Sequence, residues 1–85
     1  MSNLGEVIDL SATGLRVNVR KVPAGEFEVH IYNATEGVTV IGQVVWSRRA
    51  GLMRREIGVN FLDVTPETAK VIARIAGTNR FRRAM

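Results

Sequence analysis

Alternation with a period of two runs through the first three quarters of the chain. In "GLRVNVRK", Leu15, Val17 and Val19 fall on one face and Arg16, Asn18 and Arg20 on the other; in "EFEVHIYN", Phe27, Val29 and Ile31 oppose Glu28, His30 and Tyr32. This is the pattern of half-buried strands. "PAGE" at residues 23–26 and "NATEG" at residues 33–37 supply turn chemistry and predict antiparallel meander connections. The run "VTVIGQVVWSRR" is long for one strand, and Gly42 in its middle predicts a bulge or bend. "RRAGLMRR" reads as a basic loop, after which "EIGVNFL" places Ile57, Val59 and Phe61 on one face. With "EVIDL" as the first, about five strands are expected.

The period then changes. In "DVTPETAKVIARIAGTN", Thr65 stands where an N-cap belongs, Pro66 at the first helical position, Glu67 in the positive-dipole turn, and Gly77 where a helix should stop. Val71, Ile72, Ile75 and Ala76, with Ala69, form the apolar stripe of a short helix lying on the sheet or capping one end. The tail carries Arg80, Arg82 and Arg83 and is expected to be mobile unless Phe81 anchors it. The expected architecture is therefore mainly β, a small antiparallel barrel with a C-terminal α-helix.

The chain has 85 residues and no linker-like break, so residues 1–85 are read as a single domain. No apolar run approaches the roughly 20 residues that span a bilayer, and the N-terminus lacks a secretory pattern. A soluble cytoplasmic protein with no membrane partner is expected. The chain has no cysteine and only one histidine, His30, which argues against disulfides, thiolate metal sites and imidazole clusters. No metal or cofactor is expected. Charge is unevenly spread: residues 1–47 carry five acids against three bases, whereas residues 48–85 carry nine bases against three acids. Ten of the twelve cations are arginine, whose planar fork suits phosphates and guanine edges, although a solvated basic surface is the plainer reading.

Candidate chemistry centres on "VIDLSATGLRV", where a strand-forming run is broken by D-x-S-x-x-G. Physically this is first a turn: Asp9 and Ser11 can bond nearby amides, and Gly14 can adopt positive φ. The functional alternative is a ligand offering N–H donors to a carboxylate and a phosphate to a hydroxyl and backbone amides. Guanine nucleotides offer both.

"IDLSATGLRV", followed about thirty residues later by "GQVVWSRRAGLMRREIGVNFLDVTPE", resembles a PilZ domain over roughly Glu6 to Ala76, leaving residues 77–85 as a basic tail. The resemblance rests on the D/N-x-S-x-x-G turn, a later strand ending in an apolar-apolar-aromatic pattern, a G-V-x-F strand and a short helix. It implies a six-stranded β-barrel that binds cyclic di-GMP, a bacterial second messenger, in signal transduction. Asp9, Ser11 and Gly14 match the turn motif and by resemblance would surround one guanine and its phosphate; Arg16 is a further candidate for a phosphate. Gly58 and Phe61 match the later strand, where close backbone approach and core packing are the expected roles.

The family's R-x-x-x-R motif lies upstream of the turn, and none of the eight residues before Asp9 is basic. The strand that follows that motif is missing too. "RVNVR", Arg16 to Arg20, is not its equivalent, because it lies within the strand after the turn with Cα atoms about 13 Å apart on one outward face. Each charge-assisted hydrogen bond is worth about 1.5–3 kcal/mol, so loss of two arginines implies much weaker binding. A missing strand implies an open edge and hence a homo-oligomer, most simply a dimer; alternatively the chain is a piece of a longer protein.

Three functions follow. One is a PilZ-like cyclic di-GMP receptor, another a PilZ-like module blind to nucleotide that acts through protein contacts or oligomerisation, and the third a basic barrel binding RNA or DNA. Five aromatic residues make the nucleic-acid reading thin. Trp46 is expected in core or rim packing rather than base stacking, and Tyr32 and His30 on an exposed strand face. The Arg48–Arg55 loop is open between an anion-binding hairpin and a solvated turn. No carboxylate pair or Ser–His arrangement is placed for catalysis, so no enzyme and no catalytic residue is expected.

Overall fold

The computed structural model describes Ser2 and residues 4–79. Five strands are followed by one helix: β1 (Glu6–Ser11), β2 (Gly14–Val19), β3 (Glu26–Tyr32), β4 (Gly37–Gly51), β5 (Arg54–Leu62) and α1 (Pro66–Asn79). The basic tail, with Arg80, Phe81, Arg82 and Arg83, lies outside the described residues. All strand pairs are antiparallel, in the order β1-β2-β5-β4-β3. The sheet curls into a half-barrel. Its edges are β1 and β3, and Ser2, ahead of β1, makes an antiparallel bridge to Ile31 of β3.

The topology departs from the meander that the turns suggested. "NATEG" does close the β3–β4 hairpin, because Asn33 Oδ1 accepts from the Thr35 and Glu36 amides at 3.0 and 2.9 Å. "PAGE" instead leads from β2 to β3, strands at different places in the sheet, while β2 pairs with β5. A hairpin and a three-stranded meander are thus joined along β5.

The alternating positions form the core as expected. Leu15, Val17 and Val19 from β2, Val29 and Ile31 from β3, and Ile57, Val59 and Phe61 from β5 are buried with Leu10 and Val40. Helix α1 closes this concave face with Ile72 and Ile75, both fully buried, and with Val71 and Ala76 at the margin. Burial of each such side chain is worth about 1.5–3 kcal/mol.

Two local expectations are corrected. Gly42 is not a bulge: it pairs regularly with Phe27 and Phe61, and an added Cβ would lie 2.7 Å from Val59 and 2.8 Å from Val29. Its role is to let those side chains pack across the inside of the curl. Gly77 does not end α1, which continues to Asn79; no Cβ would be obstructed at Gly77, so nothing in the packing forces a stop there. The N-terminal signals do hold, with Thr65 Oγ1 accepting from the Thr68 amide at 3.2 Å.

Arg74 ties the outer side of α1 to the β3–β4 turn through two hydrogen bonds to Glu36, at 3.1 and 2.9 Å. The hydrogen bond and charge of Arg74 hold the Glu36 carboxyl below its ordinary range. Because the folded-state value is depressed, the stabilisation is present above the unfolded carboxylate pKa and is lost as pH falls through the folded one. Thermal melts of wild type and Glu36→Gln between pH 3 and 6 should therefore converge at the acid end. Ile57→Ala, which hollows the fully buried centre of β5, should cost about 2–5 kcal/mol in urea unfolding.

Candidate functional site

Two bulges set what the outer face presents. Strict alternation along β1 would put Val7, Asp9 and Ser11 on one side, yet Val7 packs against the core. The register shift between Val7 and Asp9 resolves this by making Ile8 the extra residue, so that Leu10 turns inward and Asp9 outward. In β4 a shift between Val44 and Trp46 does the same: Val44 stays opposite Val59, Val45 is extra, and Trp46 pairs with Gly58 on the outer face.

The result is one row across four strands. Asp9 pairs with Arg16, Arg16 with Gly58, and Gly58 with Trp46. A Cβ on Gly58 would fall on the Trp46 indole, at Nε1 and Cε2. The bare backbone of Gly58 is what lets Trp46 lie close against the sheet, with 40% of its surface still exposed. Trp46 therefore packs on the outer face with exposed ring surface left over.

The next row carries the charge. Glu56 is the one buried charged residue among those described, with its side chain 9% exposed. Its Oε2 accepts from Arg16 Nη1 at 3.3 Å, and its Oε1 from Arg48 Nε and Nη2 at 3.2 and 2.8 Å. Arg16 Nη2 also lies 3.5 Å from Asp9 Oδ2. Asp9, Arg16, Glu56 and Arg48 thus form an alternating chain of charge, whose last guanidinium sits 6.0 Å from the Trp46 ring centre. Three charge-assisted bonds compensate the burial of Glu56.

The β1–β2 connection closes the other side. Ser11 Oγ accepts from the Thr13 amide and donates to the Gly14 carbonyl, both at 3.3 Å, with Thr13 Oγ1 at 3.1 Å. Gly14 does not take positive φ; it pairs with Asn60 in β2–β5, and a Cβ there would fall on the Val59 carbonyl oxygen. It is a point of close strand approach. Asp9, for its part, pairs with Arg16 rather than with an amide of the turn.

These residues line one open cleft of about 290 Å³: Asp9, Leu10, Ser11, Thr13, Gly14, Leu15, Arg16, Val45, Trp46, Gly58, Val59 and Asn60. All four candidates from the sequence, Asp9, Ser11, Gly14 and Arg16, lie on it. Arg20 does not; it faces the far end of the β4–β5 hairpin with Arg49 and Arg54. Sequence reasoning missed Glu56 and Asn60, and the alternation E-I-G-V-N-F, which puts Glu56, Gly58 and Asn60 on the face opposite the core, was the signal available.

The fold is thus a curled antiparallel sheet with an open cleft of mixed polar and apolar lining on its outer face, floored by a glycine and walled by an indole. A PilZ-domain family model matches residues 4–77, and the chain belongs to that family, whose domains bind cyclic di-GMP and signal rather than catalyse. Searches of curated proteins and of solved structures returned no match.

Two substitutions probe the site itself. Gly58→Ala should expel the indole from its seat, shifting Trp46 fluorescence toward the solvent-exposed range and costing about 1–3 kcal/mol. Glu56→Ala leaves Arg48 without a carboxylate and Arg16 with Asp9 alone, and should cost about 1–3 kcal/mol in denaturant unfolding, at the lower end because both guanidinia remain partly solvated.

Proposed function

We propose that the chain binds cyclic di-GMP in this cleft, through Asp9, Ser11 and Gly14, with Arg16 on a phosphate. One observation carries the reading: a carboxylate, a hydroxyl-bearing turn, a guanidinium and an exposed indole face converge on a single cavity. Each supplies one need of a guanylate. The Asp9 carboxylate accepts the N–H donors of the guanine edge, and the indole of Trp46 stacks a base. Ser11, Thr13 and the close-lying backbone at Gly14 meet a phosphate.

Arg16 is shared between Asp9 and Glu56. Rotation of its guanidinium toward the phosphate would release the Asp9 carboxylate for the base while Glu56 keeps Arg48. The cavity is at the lower bound of ligand pockets, roughly 300–1,000 Å³, and so fits one guanylate half of the dinucleotide. Only a few charged contacts reach it, which makes weak binding the expectation.

A second reading, a module blind to nucleotide that acts through protein contacts or self-association, draws on the same charges. Asp9, Arg16, Glu56 and Arg48 already satisfy one another. Isothermal titration with cyclic di-GMP decides between them. A saturable one-site curve is expected, lost in Asp9→Ala and Ser11→Ala variants that keep the wild-type circular dichroism. Silence from the folded wild type would leave the second reading, and sizing of the same sample would report whether copies self-associate.

A further inference from the structure

Beyond the cleft, the β4–β5 hairpin runs on alone. β2 ends at Val19, opposite Arg55, and β3 pairs with β4 no further than Gln43. From Arg49 and Arg55 to the tip, the two arms have only each other, and the connection between Gly51 and Arg54 is two residues, Leu52 and Met53. The sequence suggested a basic loop here; the structure has a tight finger.

Neither residue at its tip serves the turn. Two-residue hairpin connections favour Asn, Asp or Gly, because these tolerate left-handed backbone. Met53 has φ 60°, an uncommon conformation for a side chain with no local hydrogen bond to offer; among the described residues the other non-glycine at positive φ is Asp63, a type that accommodates it. Leu52 and Met53 are also 91% and 81% exposed, the highest of the large hydrophobic residues exposed in the fold.

Set back from the tip is a ring of cations. Arg20, Arg49, Arg54 and Arg55 border the tip together with Gly51, Leu52 and Met53, and no acidic residue lines that surface. Among the described residues none of these four arginines has a carboxylate partner; Arg55 donates to Ser47 Oγ at 3.1 Å. Apolar groups foremost and guanidinium groups just behind follow the order of layers met on entering a lipid leaflet, where anionic phosphates overlie hydrocarbon. A folded acidic protein would answer the charge. A two-residue tip, however, buries far less than a standard protein interface of roughly 800 Å² per partner.

We propose that the tip of the β4–β5 hairpin is a peripheral contact site for an anionic phospholipid surface, with Leu52 and Met53 dipping below the headgroups and Arg20, Arg49, Arg54 and Arg55 on the phosphates. The sequence expectation of no membrane partner rested on the lack of a run able to span a bilayer, and no helix among the described residues is long and apolar enough to cross a membrane. Peripheral contact needs no span. The site is separate from the cleft and does not depend on what the cleft binds.

The test is co-sedimentation of the full chain with vesicles of phosphatidylcholine and phosphatidylserine at about 70:30, against vesicles of phosphatidylcholine alone. Binding is expected to the anionic vesicles only and to fall steeply with added salt. Each cation near such a surface contributes about fivefold, so Arg49→Glu with Arg54→Glu should reduce partitioning at least tenfold. Leu52→Ser with Met53→Ser should also reduce it several-fold, without loss of fold at positions this exposed. Leu52→Trp should gain blue-shifted emission on anionic vesicles. Failure of the wild type to bind, partitioning unchanged in the Ser variant, or unshifted emission from Leu52→Trp would each overturn the proposal, the first leaving the finger to an acidic protein partner.

Discussion

An aromatic ring can lie directly on the backbone of a β-strand only where that strand presents no side chain beneath it. At Gly58 that condition is met, and the outer surface of this domain is arranged around it. Trp46 rests on the bare backbone of β5, Arg16 and Asp9 continue the same row across β2 and β1, and Glu56 anchors the row beside it. Any residue larger than glycine at position 58 would push the indole away and open the floor of the cleft.

Glu56 is the electrostatic counterpart of that seat. A buried carboxylate is costly alone, and here it is held by arginines from two other strands, β2 and β4. The same bonds fix where those arginines stand. Arg48 is committed to Glu56 through two nitrogens, whereas Arg16 divides its guanidinium between Glu56 and Asp9. Of the two, Arg16 is the one whose position a bound anion could most readily change.

Strand identity and the core were legible because period-two alternation in "GLRVNVRK", "EFEVHIYN" and "EIGVNFL" records which side of each strand faces the core. The bulges at Ile8 and Val45 were not legible, since nothing in their local composition marks them; the first lets Val7 and Leu10 both reach the core, and the second, just past Val44, turns Trp46 to the outer face. Those two one-residue shifts turn Asp9 and Trp46 outward, so the side chains that define the cleft are those whose facing depends on register. The strand order was hidden for a related reason. Turn chemistry at "PAGE" marks a change of direction and carries no information about which strand receives the chain. Gly14 and Gly42 show the same limit, as the need for a missing Cβ arises from neighbours distant in sequence.

The place of β5 in the sheet bears on how the domain assembles. It is the seam between the early hairpin and the later strands, and the rung from Arg16 to Glu56 joins positions 40 residues apart. Loops of that length close late and slowly compared with hairpins. During synthesis, a chain emerging from the ribosome has its D-x-S-x-x-G turn early but acquires a floor beneath it only after Leu62 has cleared the exit, so this surface exists only in the finished domain.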